Sequence, residues 1–113
     1  MKNILMLIST LLVTSCANNN IEAEFIEIKN KIARFDVVNN SNKDISKITL
    51  EIRFLDSSDN LLLVDTLDYQ MGNDYRNEKL PFLKANDKTF IVQSAPDNCL
   101  KADIKILEIE NIK

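Results

Sequence analysis

A cysteine near the start of the chain is the residue whose surroundings predict a defined chemical modification. Cys16 ends the segment Val13–Cys16, in which an aliphatic residue and two small residues come before the cysteine, as in the bacterial lipobox. Lys2 and the apolar run 4–13 precede it, an arrangement typical of a signal segment. The pattern predicts that the signal is removed before Cys16 and that the thiol of Cys16 then carries lipid.

The length of the apolar run separates a signal segment from a membrane span. It has about ten residues, whereas a spanning helix needs roughly 20. We therefore expect residues 1–15 to be a signal peptide and residues 16–20 to be the lipidated cysteine with a short polar tether. An ordinary signal peptide is the alternative, but the A-x-A-like cleavage site that it usually contains does not precede Cys16.

Four acidic residues supply the oxygen ligands that calcium prefers. They are Asp56, Asp59, Asp65 and Asp68. The loop Asp56–Asn60 is one candidate for a cation site, but an EF-hand loop needs a glycine at its sixth position, where this chain has Leu61. Asp, Ser and Asn are equally typical of a hairpin turn. The sequence therefore leaves two interpretations, a simple turn and a cation- or ligand-binding loop.

The longest stretch without an alternating pattern, Asp68–Lys79, contains the candidate residues for partner contact. These are Tyr69, Tyr75 and Arg76. Tyrosine and arginine are enriched at the energetically important positions of interfaces, and binding residues concentrate in loops. We predict that the three residues contact a partner. The alternative is an ordinary loop whose aromatic side chains cover the core.

The composition excludes several kinds of functional site. The chain contains no His, which removes the Ser-His-Asp triad, the Cys-His pair and histidine-based metal sites. Its single glycine, Gly72, excludes Gly-rich phosphate-binding loops. The net charge of −3 gives no indication of a basic surface for nucleic acid. We therefore expect a protein that is not an enzyme and that uses no cofactor, metal or nucleic acid.

The second cysteine of the chain, Cys99, has no intramolecular partner if Cys16 is acylated. We expect it to be a small, partly buried apolar side chain. Pairing with another chain or a redox role is the alternative.

Alternation of apolar and polar residues predicts β-strands along the rest of the chain. The clearest run is Ile48–Phe54, for which we predict a central strand. The alternation changes parity at Phe25-Ile26, which predicts a β-bulge, and it shifts again at Leu107. Phe90 and Val92 alternate with their neighbours in a later strand. Leu80–Leu83 is predicted to be a short edge segment, because its proline cannot donate to a ladder.

These strands define the fold class and the domain. Six to eight short strands joined by clusters of turn residues predict an all-β antiparallel sandwich. The sequence contains no internal repeat and no linker, so we expect residues 21–113 to form a single domain.

Two segments of this domain resemble the small immunoglobulin-like domains of bacterial lipoproteins, nearest to the FxLYD type. The first is Phe35–Asp56, where a strand ends in an apolar run followed by Asp56. Ile52 and Leu55 replace the Phe and Tyr of the family pattern, and the expected turn glycine is missing. The second is Phe82–Phe90, which is similar to the start of a strand in such domains. The resemblance covers about residues 22–110 and implies an immunoglobulin-like sandwich without shared catalytic residues.

The sequence therefore predicts a non-enzymatic lipoprotein of the bacterial cell envelope. Lipid on Cys16 would hold it to a membrane, with the domain facing the periplasm or the outside. An envelope or surface protein is the expected partner of the folded domain. The alternative is a small ligand- or cation-binding module that uses the acidic loops.

Overall fold

A computed structural model describes residues 20–112, which contain six β-strands. The strands are β1 (Ile21–Lys29), β2 (Ile32–Asn39), β3 (Ile45–Leu55), β4 (Leu61–Gln70), β5 (Lys88–Ser94) and β6 (Lys101–Asn111). They form two antiparallel three-stranded sheets, β1-β2-β5 and β4-β3-β6, around one core. The predicted all-β sandwich is confirmed. In the described part of the chain, no helix has the length and apolar character needed to cross a membrane.

The strand β3 is the centre of its sheet, as predicted. It pairs with β4 on one side and with β6 on the other. Every second side chain from Ile48 to Phe54 is fully buried, whereas Thr49, Glu51 and Arg53 face the opposite side. Burial of each large apolar side chain stabilises the fold by about 1.5–3 kcal/mol. The alternation of apolar and polar residues in this segment therefore indicates which face of the sheet packs against the core.

The two changes of parity in the sequence correspond to irregularities in the strand pairing. In β1 the register shifts between Phe25 and Glu27, which confirms the predicted bulge. The extra residue, Ile26, is 42% exposed, and Ile28 returns to the core side. In β6 the pairing with β3 shifts around Leu107. Each bulge lets a strand keep apolar residues on one face despite the change of parity in its sequence.

Two expectations about the later strands are corrected by the structure, which also shows the inner face of β5. The strand β4 continues to Gln70, so the unpatterned stretch begins after that residue and not at Asp68. Leu80–Leu83 is not a strand, although Leu83 forms an isolated bridge with Ile45. In β5 the core-facing side chain is Ile91, while Phe90 and Val92 point outward and are half exposed.

The outward position of Phe90 has a physical explanation. The guanidinium carbon of Arg34 lies 4.3 Å from the centre of the Phe90 ring, on the outer face of the sheet β1-β2-β5. A cation–π contact of this kind stabilises an exposed aromatic ring by about 0.5–1 kcal/mol. Alternation alone could not assign the inner face of β5, because both of its faces carry apolar residues.

The turns use asparagine and aspartate where many β-proteins use glycine. Asn30 and Lys31 both have positive φ, which closes a tight hairpin between β1 and β2. Asp59, Asn77, Asn86 and Asn98, in other turns of the described residues, also adopt this left-handed conformation. The short polar side chains of Asn and Asp tolerate it better than most others.

Candidate functional site

The pairing of the strands places each segment of interest at one of two ends of the sandwich. We call the end where Asn20 leads into β1 the proximal end. Ile21 pairs with Asn39, the last residue of β2, which leads on into β3. Lys47 near the start of β3 pairs with Gln70, so β4 finishes at the proximal end as well. The other end, which carries the β1–β2, β3–β4 and β5–β6 connections, is the distal end.

A buried asparagine organises the proximal end. The Asn39 side chain is fully buried, and its amide nitrogen donates to the carbonyl oxygens of Lys43 (2.8 Å) and Lys84 (3.1 Å). Its amide oxygen accepts from the backbone nitrogen (2.9 Å) and the hydroxyl (2.6 Å) of Ser41. The side chain of Asn39 therefore connects the segment after β2 to the segment before β5. Both its amide nitrogen and its amide oxygen have hydrogen-bond partners.

The residues after β4 form a short ribbon at this end. The backbone nitrogen of Leu80 donates to the carbonyl of Gly72 (3.1 Å), and Asn73 is bridged to Lys79. The backbone nitrogen of Asp74 donates to the carbonyl of Glu78 (2.8 Å). We call residues 72–80 the proximal ribbon. Two of the three predicted contact residues, Tyr75 and Arg76, lie at its tip.

The tip is held by the side chain of Asp74. One carboxylate oxygen accepts hydrogen bonds from the backbone nitrogens of Arg76 (2.8 Å) and Glu78 (3.0 Å). The bond from Glu78 is the main cause that lowers the pKa of Asp74 below its ordinary value. A carboxylate that caps its own turn in this way fixes the backbone, so Tyr75 is presented on an ordered support.

The two candidate residues at the tip differ in their surroundings: the side chain of Tyr75 is exposed, whereas that of Arg76 forms ion pairs with its neighbours. Tyr75 is 94% exposed, and the guanidinium carbon of Arg76 lies 5.6 Å from the centre of its ring. The guanidinium of Arg76 also pairs with Glu78 at 3.0 Å and with Asp74 at 3.5 Å. The arginine is therefore partly neutralised by its neighbours, whereas the tyrosine ring is open to a partner.

The third predicted contact residue, Tyr69, is not part of this tip. It lies within β4, packs against the core, and places its ring 5.8 Å from that of Phe82. Its hydroxyl accepts a hydrogen bond from the side-chain amide of Gln93 at 2.7 Å. The alternative offered by the sequence, an aromatic residue that covers the core, fits Tyr69. The two-residue spacing between Leu67 and Tyr69 continues the alternation of β4, and this spacing was the indication in the sequence that the strand extends to Tyr69.

The four acidic positions are not brought together. Asp56 and Asp59 lie in the distal β3–β4 turn, while Asp65 pairs with Ile52 and Asp68 with Thr49 along β4. Since β4 rises about 3.3 Å per residue, its first residue after the turn, Leu61, lies roughly 23 Å from Asp68. Across residues 20–112, no group of three or more His, Cys, Asp or Glu side chains is arranged to hold a metal ion.

The carboxylate of Asp56 is already used by the turn that it begins. It accepts hydrogen bonds from the backbone nitrogens of Asn60 (2.9 Å) and Ser58 (2.8 Å), which lower its pKa. Asp59 forms an ion pair with Lys101. Both observations favour the interpretation of this loop as a hairpin turn.

One exposed apolar surface was not anticipated from the sequence. Leu61, Leu62, Leu63 and Val64 are each between 38% and 48% exposed, at the distal half of β4. β4 is an edge strand, so its outer backbone groups have no neighbouring strand in the sheet. The sequence does contain an indication of this surface, because four consecutive apolar residues without alternation cannot all face the core. We call residues 61–64 the apolar edge.

Cys99 lies at the distal end and is buried, with its thiol 3.2 Å from the carbonyl oxygen of Lys101. This position matches the expectation of a small buried side chain.

Comparisons with protein-family models, with curated proteins and with solved structures found no match to the chain.

Proposed function

We propose that the protein is a bacterial lipoprotein whose all-β domain is held to an envelope membrane by lipid on Cys16. The segment Val13–Cys16 carries this proposal, because it combines a lipobox pattern with a preceding apolar run of signal length. The structure of the following residues is compatible with it, since the first strand begins at Ile21. Only a short polar segment would then separate the lipid from the folded domain.

The domain is proposed to be immunoglobulin-like. The order β1-β2-β5 against β4-β3-β6 supports this proposal, because it corresponds to strands A, B and E facing strands C′, C and F of that architecture. The chain changes sheets between β2 and β3, between β4 and β5, and between β5 and β6. Domains of this architecture commonly act as binding modules and share no active site.

The proposed role is non-enzymatic contact with another component of the envelope. The proximal ribbon supports this role, since it presents the exposed ring of Tyr75 on a turn fixed by Asp74. An envelope or surface protein as the partner of the domain stays a prediction. Among residues 20–112, no group of His, Cys, Asp or Glu side chains is arranged to hold a metal ion, so we do not propose the cation-binding alternative.

The anchor is tested by replacing each cysteine in the full chain. Palmitate labelling and membrane fractionation are compared for wild type, Cys16→Ala and Cys99→Ala. We expect Cys16→Ala to lose the label, and to appear either in the soluble fraction or as an uncleaved precursor, because two or more acyl chains are what hold such a protein firmly. Cys99→Ala should keep the label and the membrane location. Label that persists in Cys16→Ala would contradict the proposal.

A further inference from the structure

We propose that the tip of the proximal ribbon, with Tyr75 at its apex, contacts the surface of the membrane that holds the anchor. This inference rests on the proposed lipidation of Cys16. It assigns the exposed ring to the headgroup layer of a lipid bilayer and not to a protein. Three observations support it: the position of the ribbon, the length of the tether and the chemistry of the tip.

The ribbon lies beside the point at which the chain leaves the domain. Asn20 is fastened to the proximal end by the hydrogen bond that its carbonyl accepts from the backbone nitrogen of Asn40 (2.8 Å). Asn111, at the end of β6, lines two open clefts. One of them also includes Asn20, and the other includes Glu78 and Lys79 of the ribbon. The chain exit and the ribbon therefore share a neighbour at the same end of the sandwich.

The tether is too short to let the proximal end move far from the bilayer. Four residues separate Cys16 from Ile21. At no more than about 3.6 Å per residue, the five steps from Cys16 to Ile21 span at most about 18 Å. The 11 residues of β3 alone extend roughly 36 Å toward the distal end. A lipid on Cys16 therefore keeps the ribbon near the membrane, and the distal turns lie much farther from it in an upright domain.

The residues of the ribbon suit the membrane–water interface. Tyr75 is 94% exposed, and tyrosine is enriched at the headgroup level, where its ring meets apolar chains and its hydroxyl meets water. Met71 (52%) and Leu80 (37%), at the base of the ribbon, are also exposed. The charges of residues 72–80 balance, because two acidic and two basic side chains are present. The contact is therefore made by the ring of Tyr75, and attraction to anionic lipid contributes little.

The absence of tryptophan from the chain allows a direct test. Tyr75→Trp and Leu100→Trp each introduce one fluorophore, the first at the ribbon tip and the second at the distal end, where Leu100 is 64% exposed. Both proteins are purified from membranes as the full lipoprotein and placed in phosphatidylcholine vesicles. Part of the lipid carries bromine, a quencher, on its acyl chains close to the headgroups.

We expect blue-shifted emission and quenching by brominated lipid for Tyr75→Trp, and neither effect for Leu100→Trp. The same result is expected when phosphatidylglycerol is added to the vesicles, because the tip has no net charge. Unquenched emission from Tyr75→Trp would overturn the inference, and so would equal quenching of both variants, which would mean that the domain lies flat on the bilayer.

A mass measurement of the N-terminal peptide in the same preparation separates the two proposals. A chain without lipid on Cys16 overturns the proposed function, and the inference with it. A lipidated chain in which Tyr75→Trp stays in water overturns the inference alone.

Discussion

The hydroxyl of Tyr69 on β4 accepts a hydrogen bond from the side-chain amide of Gln93 on β5, with 2.7 Å between oxygen and nitrogen. The two residues belong to different sheets, so this bond connects the sheets at the side where β4 and β5 are the edge strands. Both Tyr69 and Tyr75 were predicted from the sequence to contact a partner, but this bond gives Tyr69 a structural role that Tyr75 does not share. The first of the two tyrosines supports the fold, and the second is free to make an external contact.

Removal of the Tyr69 hydroxyl should therefore destabilise the domain. We expect Tyr69→Phe to lower the free energy of unfolding by about 1 kcal/mol, because one partly buried hydrogen bond is lost and the amide of Gln93 is left without this partner. Urea unfolding monitored by circular dichroism provides the measurement. The matched variant, Tyr75→Phe, removes a hydroxyl in water and should leave the midpoint unchanged. Equal effects of both changes would contradict the division of roles.

The buried Asn39 should be among the most sensitive polar positions. Asn39→Ala removes a side chain that bonds to Ser41, Lys43 and Lys84, and it should lower the free energy of unfolding by roughly 3 kcal/mol because several partly buried hydrogen bonds are lost together. Asn40→Ala is the control, since Asn40 is exposed and contributes only its backbone nitrogen to Asn20. Thermal melting of both variants would show whether one side chain fastens the proximal end. A mild effect at position 39 would mean that the backbone contacts suffice.

The order of the ribbon tip should depend on pH through Asp74. Its pKa lies below the ordinary value of 3.8, because the carboxylate accepts backbone hydrogen bonds from Glu78 and Arg76. A carboxyl group with a lowered pKa stabilises the folded form fully above the ordinary pKa, and that contribution is lost as the pH falls through the lowered value. We expect the amide signals of Arg76 and Glu78 to move and exchange faster with solvent as the pH drops below 3.8.

The variant Asp74→Asn isolates this effect in the same NMR titration. Its neutral side chain can still accept the two backbone hydrogen bonds through the amide oxygen. The tip of this variant should therefore keep its amide signals in place at acidic pH. Identical pH dependence in wild type and Asp74→Asn would assign the change to another group.

The sequence predicted the elements of the fold wherever one face of a strand is apolar and the other polar. Ile48–Phe54 satisfies that condition, and its role as a central strand followed directly. The shifts at Ile26 and Leu107 could also be predicted, because a change of parity within an apolar pattern has few structural causes other than a bulge. β5 could not be oriented, because Ile91 competes with the larger Phe90 for the inner face.

The candidate site was only partly predictable. Tyr75 and Arg76 were predicted as contact residues because an unpatterned stretch with a tyrosine and an arginine is typical of a contact loop, and their contact with a partner stays a prediction. Tyr69 was misplaced, because its hydrogen bond with Gln93 joins residues 24 positions apart in the chain. The proximity of the ribbon to Asn20 depends on strand pairing as well, and no local pattern in the sequence records it.

An anchored sandwich would have a fixed polarity on its bilayer, and this polarity limits how its apolar edge can be used. β4 runs from the distal turn toward the proximal end, so neighbouring copies on one membrane would present Leu61–Val64 in the same direction. Identical edges that join antiparallel about a two-fold axis would need one copy turned upside down, with its lipid pointing away from the bilayer. Attachment at Cys16 would thus keep copies from adding to one another in this way, while a strand of a different protein could still approach.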